Sequence, residues 1–429
     1  MLKSETVHAE HALCHKLHRI GYNVAEQEPQ YMFTTIDDGQ VTSPRGFKAG
    51  TAAAGIKYPG KCDLGLLASA VPAIAAGVFT KNTVRSAPVQ VSERRLARGS
   101  AGAVVANSGC ANACTGERGL RDAESMAAMA AARLGLHDDD VLVASTGVIG
   151  TFLPLDRIEA GLGEIVLHEA NGHSFAHAIM TTDTRPKEIA VAVDAPDGRM
   201  LIGAAAKGSG MIHPNMGTML CFITTDACVD PGFLRTVLVR SVDRTLNMVS
   251  VDGDTSPSDT VFVLANGLVG NQPLNEKTGH AFEEALAFVC EHMAKAIAAD
   301  GEGASKLIEV AVVGARSIAD ARMAARTVAS SPLVKAAIHG ADPNWGRIVC
   351  AVGRSGAAIE PLQMSLSLNG VPVMSRGMPL AFSEADLRKS MESSTAEVLV
   401  DLHLGSATAT AWGCDLSPDY VTINASYTT

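Results

Sequence analysis

The sequence predicts a layered α/β (or α+β) fold, two-lobed and built from helices packed on sheet. Three observations lead there. Short apolar runs of strand length alternate with longer stretches of helical period. Of the residues, 47% are hydrophobic but only 4% are aromatic, and Gly alone fills 40 positions. Small and branched side chains let helices approach a sheet closely. At 429 residues the chain is long enough for two or three ordinary domains or one large two-lobed enzyme.

Taken in order, residues 1–45 read as a polar N-terminal extension, weakly helical up to Gly21, with residues 26–39 an aperiodic connector. The compact region is expected to begin near Gly46. AIAAGVFT and GAVVANSG are buried strands, and DAESMAAMAAARLGL is a helix, rich in good helix formers and interrupted by Gly135. VLVASTGVIG is a strand entering a Gly-flanked turn; LDRIEAGLGEIVLHEA is mostly helical. EIAVAVD and MLIGAAAKGSG flank the turn APDG and should pair as a hairpin.

In the second half, TMLCFITTDA is a strand and PGFLRTVLVRSVDRTLNMVSV a helix leading into the polar run DGDTSPSD. TVFVLANG is a strand and EKTGHAFEEALAFVCEHMAKAIAAD a long amphipathic helix. Then follow strand KLIEVAVVGA, helix DARMAARTVASS, strand GRIVCAVG, two strands around SLSLNGVPV, helix SEADLRKSM and strand EVLVDLHLG.

The net charge of −10, with no Lys/Arg run, argues against nucleic acid and anionic membrane as partners. The N-terminus lacks the pattern of a secretory signal, and no stretch of about 18 uncharged apolar residues occurs, so the expected location is the cytoplasm. Nine scattered cysteines read mostly as small buried hydrophobes. Cys110 and Cys114 have the spacing of one helix face, but no second Cys or His pair follows at zinc-ligand distance. DGDTSPSDT lacks the Gly and terminal Glu of a calcium loop. No metal is assigned.

The segment KGSGMIHPNMGTMLCFITTDA, residues 207–227, carries the chemistry. It is a Gly-rich turn, a Pro-containing bend, and then Gly217-Thr218 entering an apolar strand. By residue type alone an ordinary turn-to-strand junction is the better reading. The sharper reading is that a strained Gly217–Thr218 bond is attacked by the Thr218 hydroxyl, and the resulting ester hydrolyses. Thr218 then becomes an N-terminus whose α-amine, with a pKa near ~8, serves as its own base. Such a cut leaves 217 residues on one side and 212 on the other.

KGSGMIHPNM-x-TML closely resembles the self-cleavage segment of the ornithine acetyltransferases, the bifunctional glutamate N-acetyltransferase/ornithine acetyltransferases of arginine biosynthesis. The resemblance runs from about Gly46 to the C-terminus. GFKAG with GIK, DLGLL, FTKNTV, APV, NSGCANACTG, STGVIG, IMTTDT, DGDTS-x-SDT, GEGASK, DPNWGRI and N-x-x-YTT match the family in order. Family members most often have Ala before the nucleophile, where this chain has Gly217.

The resemblance implies Thr218 as nucleophile, and Thr146 and Gly147 in STGVIG as the oxyanion element, a role that suits a hydroxyl and a backbone N–H in a tight turn. It implies substrate contacts from Lys207, Thr181, Thr182, Glu302, Asn424 and Thr429, with Lys207 suiting a carboxylate and Glu302 an ammonium group. DPNWGRI, with Asp342, Asn344, Trp345 and Arg347, reads as structure or site support. The family's architecture implies an N-terminal-nucleophile sandwich formed by an alpha chain, 46–217, and a beta chain, 218–429, paired as α2β2. Its activity implies acetyl transfer from N-acetylornithine to glutamate with no cofactor; some members also take acetyl from acetyl-CoA as a substrate, which these residues do not decide. An amide hydrolase with the same N-terminal Thr is the alternative, and a non-enzymatic metabolite-binding protein a third reading.

Overall fold

The structure is a computed structural model and describes residues 33–195, 198–213 and 219–426. Two mixed sheets organise the described residues. The first holds β1 (Phe33–Thr35), β2 (Phe47–Ala52), β3 (Leu64–Phe79), β4 (Ser100–Asn107), β5 (Val141–Ser145), β6 (Lys187–Ala195), β7 (Gly198–Lys207), β8 (Leu220–Thr225) and β10 (Thr260–Ala265). Its order is β1-β6-β7-β8-β10-β3-β4-β5, with β2 beside β3. The second holds β9 (Val249–Ser250), β11 (Leu307–Ala315), β12 (Ser365–Leu368), β13 (Val371–Ser375), β14 (Met378–Pro379), β15 (Thr395–Asp401) and β16 (Ala407–Cys414), in the order β14-β13-β12-β15-β11-β16-β9. The layered α/β expectation holds, its two lobes being the two sheets with their helices.

The helices are α1 (Ala87–Leu96), α2 (Gly116–Leu134), α3 (Leu155–Glu164), α4 (Gly172–Ala178), α5 (Pro231–Arg244), α6 (His280–Ala299), α7 (Ile318–Ala329), α8 (Pro332–His339), α9 (Trp345–Gly353), α10 (Glu384–Ser390) and α11 (Pro418–Ser426). Helix α6 joins the lobes, packing on β6 and β7 of the first sheet and on β9, β11 and β16 of the second. Phe282, Leu286, Val289, Met293 and Ile297 are all buried. They recur every three or four residues and form its apolar face. Each such side chain contributes roughly 1.5–3 kcal/mol when fully buried. The small-residue composition has a direct use: a Cβ on Gly65 would lie 2.9 Å from the Phe175 ring, so α4 can sit on β3 only over a glycine.

The strands on either side of position 218 share one sheet. β8 pairs antiparallel with β7, Leu220 opposite Lys207, and parallel with β10, Leu220 opposite Thr260. The hairpin around APDG is present, with Ala195 opposite Gly198. Helix α2 ends as expected, Gly135 adopting φ +68°.

Several expectations need correction. The body begins before Gly46: β1 lies inside the supposed connector and pairs with β6, and Val41 is fully buried. A three-residue edge strand with one buried side chain has too little pattern to read. GRIVCAVG is helix α9, not a strand. Its β-branched residues suggested a strand, but Ile348, Ala351 and Val352 are buried at helical spacing. The helix from Pro231 stops at Arg244, and Val249–Ser250 is already strand β9. LDRIEAGLGEIVLHEA leaves the helix at Glu164, where Ile165 turns extended. Cys110 and Cys114 do not share a helix face: Cys110 bridges to Val148, and Cys114 has φ +57° ahead of α2. β2, β16, α1, α4, α8 and α11 had not been foreseen; α11 buries no side chain and so leaves no periodic signature.

Candidate active site

Chain direction brings the site together. β4 and β5 run parallel, Ala103 beside Val141, so the turns after both strands lie at the same end of the sheet. Thr146 N donates to the Asn107 carbonyl at 3.0 Å, Val148 N to that of Gly109 at 3.3 Å, and Ala111 N back to Val148 at 2.9 Å. Gly147 sits in this knot with φ +128°, and a Cβ there would lie 2.4 Å from the Gly109 carbonyl carbon. Only glycine fits, for both conformation and space.

Lys207 ends β7 with its side chain buried. Its Nζ donates to Thr181 Oγ1 at 2.7 Å and lies 3.7 Å from Asp183 Oδ2. Asp183 organises this wall: it accepts Thr181 N at 3.0 Å and Gly208 N at 2.6 Å, and receives Lys187 Nζ at 2.7 Å. Burial opposes ionisation of Asp183, but Lys207 and Lys187 overcome it and hold its carboxyl well below the usual range. Burial lowers the Lys207 pKa, and Asp183 counters it. Lys187 reaches on to Asp300 Oδ2 at 2.6 Å, which ties the wall to the end of α6. Thr182 Oγ1 shares a hydrogen bond with Ser209 Oγ at 2.7 Å.

Glu302, just past α6, is buried. Its N–H donates to the Ser209 carbonyl at 2.8 Å, and its Oε2 accepts Asn424 Nδ2 of α11 at 2.8 Å. A Cβ on Gly210 would strike this carboxyl at 2.5 Å, so Gly210 makes room for it.

Thr146, Gly147, Thr181, Thr182, Lys207, Glu302 and Asn424 therefore line a single cleft of about 110 Å³. Gly217, Thr218 and Thr429 lie outside the described residues. Asp342, Asn344, Trp345 and Arg347 do not line the cleft; Arg347 Nη1 instead bonds the Leu333 carbonyl at 2.8 Å.

The cleft also holds residues that motif reading did not single out: Met211, Asp252, Asp254, Ser256, Ser258 and Tyr420. Asp252 accepts backbone N–H groups from Met211 at 2.5 Å, Ile212 at 3.0 Å and Asp254 at 3.1 Å, and burial still raises its pKa to about 6. Tyr420 is pushed up to about 12, chiefly by burial and then by Asp252 and Glu302. Asp252, Asp254, Ser256 and Ser258 lie in the matched polar run DGDTSPSDT and Met211 in KGSGMIHPNM, while Tyr420 had no sequence signal.

Two packed sheets around a small polar cleft, with a buried cation and a buried carboxylate built into its walls, define this chain as an α/β enzyme. It belongs to the ArgJ family, whose model matches residues 48–429. The protein named arginine biosynthesis bifunctional protein ArgJ from Symbiobacterium thermophilum is 53% identical over 397 residues, 91% of this chain and 99% of its own length. The protein of the same name from Dehalococcoides mccartyi is 50% identical over 398 residues, 92% of this chain and 98% of its own. A solved chain of ornithine acetyltransferase complexed with ornithine, from Mycobacterium tuberculosis, is 40% identical and covers 42% of this chain and 98% of its own, with a TM-score of 0.40. The family expected from the motifs is the family found. Among the described residues, no helix is long and apolar enough to cross a membrane.

Proposed function

We propose that this chain is a self-cleaving acetyltransferase of arginine biosynthesis that carries acetyl from N-acetylornithine to glutamate on Thr218. The observation that carries the reading is the convergence of seven motif-matched residues on one cleft, drawn from segments on both sides of position 218. The relatives are named for arginine biosynthesis, and the Mycobacterium tuberculosis enzyme is complexed with ornithine.

Cleavage between Gly217 and Thr218 makes an alpha chain, 46–217 behind its N-terminal extension, and a beta chain, 218–429. The freed amine of Thr218 accepts the proton of its own hydroxyl. Oγ attacks the acetyl carbonyl of N-acetylornithine, and the Thr146 hydroxyl and Gly147 N–H stabilise the oxyanion. The tetrahedral species collapses with loss of ornithine, whose nitrogen takes up the proton, and leaves an acetyl ester on Thr218. The amine of glutamate attacks that ester and departs as N-acetylglutamate, restoring the hydroxyl. Lys207 meets the substrate carboxylate and Glu302 its ammonium group, opposite charges that orient an amino acid in a dry cleft. The reaction needs no cofactor, and acetyl-CoA can enter only as a second acetyl donor. The cleaved chains pair as α2β2 in the cytoplasm.

Intact-mass measurement before and after N-acetylornithine tests this. The expected result is two polypeptides, the smaller gaining one acetyl group on the fragment that begins at Thr218. A single uncut, unmodified chain that still transfers acetyl overturns the reading. Acetate released equally fast with and without glutamate makes the chain a hydrolase instead.

A further inference from the structure

N-acetylornithine and glutamate carry opposite charges at the ends of their side chains, an ammonium on one and a carboxylate on the other. One cleft of about 110 Å³ must hold each in turn. Its carboxylates gather at one end: Asp252, Asp254 and Glu302 all act electrostatically on Tyr420, which lines the cleft from α11. An ammonium suits that end. A carboxylate is repelled by it unless one of the acids is neutral. Asn424 does not resolve the conflict, because its Nδ2 already donates to Glu302 Oε2 at 2.8 Å and to the Tyr420 carbonyl at 3.0 Å.

Backbone N–H groups hold Asp252 in place. Oδ1 accepts Ile212 N at 3.0 Å and Asp254 N at 3.1 Å, and Oδ2 accepts Met211 N at 2.5 Å. Met211 takes φ +55°, which a non-glycine residue rarely adopts, with its N–H on this carboxyl. A carboxylate can accept about four hydrogen bonds, so Oδ2 keeps one position for a ligand N–H or for a proton. The run that begins with Asp252 ends on Ser258 and Asp259. Asp259 Oδ1 accepts Met219 N at 3.1 Å, but its Oδ2 and the Ser258 hydroxyl have no partner among the described residues. Ser258 is only 3% exposed and lines the same cleft, so an unpartnered buried hydroxyl marks it as built for a polar ligand.

We propose that Asp252 is the specificity-determining residue that lets one cleft take both side chains: as a carboxylate it pairs with the ammonium of ornithine, and as a neutral acid it donates a hydrogen bond to the side-chain carboxylate of glutamate. The proposal rests on the acetyl-transfer reading and deepens it. The step balances: one proton enters from solvent with glutamate, resides on Oδ2, and returns to solvent when N-acetylglutamate gives way to N-acetylornithine. Burial raises the Asp252 carboxyl to about 6 although its three N–H partners pull the other way, so near neutral pH either form is within easy reach. The titratable groups that face Asp252 are Asp254 on its own loop, Tyr420 on α11 and Cys414 at the end of β16. Glu302 faces Tyr420 from beyond α6, and His213, hydrogen-bonded to Ser250, faces Asp254 and Arg326 of α7. Tyr420, pushed up to about 12, stays protonated throughout and is a second donor for the carboxylate.

The test is binding calorimetry on the purified full chain between pH 6.5 and 8.5 with two probes, 5-aminopentanoate and glutarate. They are ornithine and glutamate without their α-amino groups, and both keep their charges across this range. Buffers of different ionisation heat count the protons taken up. In the wild type, the Kd of glutarate should rise about tenfold from pH 7 to 8, with about one proton bound per glutarate at pH 7.5. The Kd of 5-aminopentanoate should stay within about twofold, with no proton bound. Asp252→Asn cannot ionise. It should make glutarate binding independent of pH and weaken 5-aminopentanoate about tenfold or more at pH 7.5. Asn also sets an amide N–H against that of Met211, so thermal unfolding is recorded; the two wild-type profiles decide the matter even if the variant does not fold.

Wild-type profiles that run parallel for the two probes, with equal proton uptake, overturn the proposal and leave the acetyltransferase reading standing. A folded Asp259-intact Asp252→Asn chain that keeps the wild-type difference between the probes overturns it as well. A wild type that moves no acetyl to glutamate sinks the functional reading, and this proposal with it.

Discussion

Asn424 Nδ2 donates to Glu302 Oε2 at 2.8 Å, so an amide on the C-terminal helix α11 steers the carboxylate of the cleft. α11 buries none of its own side chains. Asn424→Ala should leave unfolding unchanged and raise KM for the amino-acid substrates about tenfold, the loss of one charge-assisted hydrogen bond. Steady-state kinetics check it; an unchanged KM would show that Glu302 needs no orientation from α11.

Gly147→Ala places a methyl 2.4 Å from the Gly109 carbonyl carbon at a φ of +128°. The turn must shift, and the proposed oxyanion N–H moves with it. The expected loss in kcat is about 10²–10³-fold, with KM little changed. A variant that turns over at near the wild-type rate would remove Gly147 from the oxyanion role.

Lys187 lies between Asp183 Oδ1 at 2.7 Å and Asp300 Oδ2 at 2.6 Å, all three side chains buried. Lys187→Met leaves Asp300 without its cation, and Asp183 with Lys207 alone. The expected destabilisation is about 3–5 kcal/mol, read from the urea unfolding midpoint. A loss below about 1 kcal/mol would mean that the carboxylates are otherwise compensated.

Asp252 bears on acid behaviour. Burial raises its folded pKa to about 6, above the unfolded value near ~4. Between those values the folded chain holds a proton that the unfolded chain has released. The stability this provides is complete below pH ~4 and gone once the pH rises past about 6. Discounted for partial exposure, it is on the order of 1–2 kcal/mol. Asp252→Asn should flatten the dependence of unfolding free energy on pH in that window. An unaltered slope would mean that Asp252 titrates normally.

Much of the fold was legible because its strands and long helices bury a regular face. β3 to β8, β10, β11, α2 and α6 repeat apolar residues at periods of two or three to four, and the chain cannot hide that pattern. The residues lining the cleft were legible for another reason: GSG, STG and GEG place glycines where backbone and carboxylate must come close, as at Gly147 and Gly210.

Short or half-exposed elements escaped. β1 has one buried residue, α11 has none, and α9 shows β-branched residues whose helical face declares itself only against its neighbours. Asp252, Ser258 and Asp259 escaped as well. In the linear chain they sit in the matched segment DGDTSPSDT, which by itself assigns them no contact; in the fold, pairing between β8 and β10 sets that run beside Met219 and the wall made by Lys207.

The amino-acid order by itself determined the family and the layered character, because these depend on local period and on side-chain identity. Tertiary structure alone decided which carboxylates are dry, which donors they meet and which are left without one. Burial and hydrogen bonding are set by partners a hundred residues away, as Lys187 and Asp300 show, and no local stretch of sequence contains both.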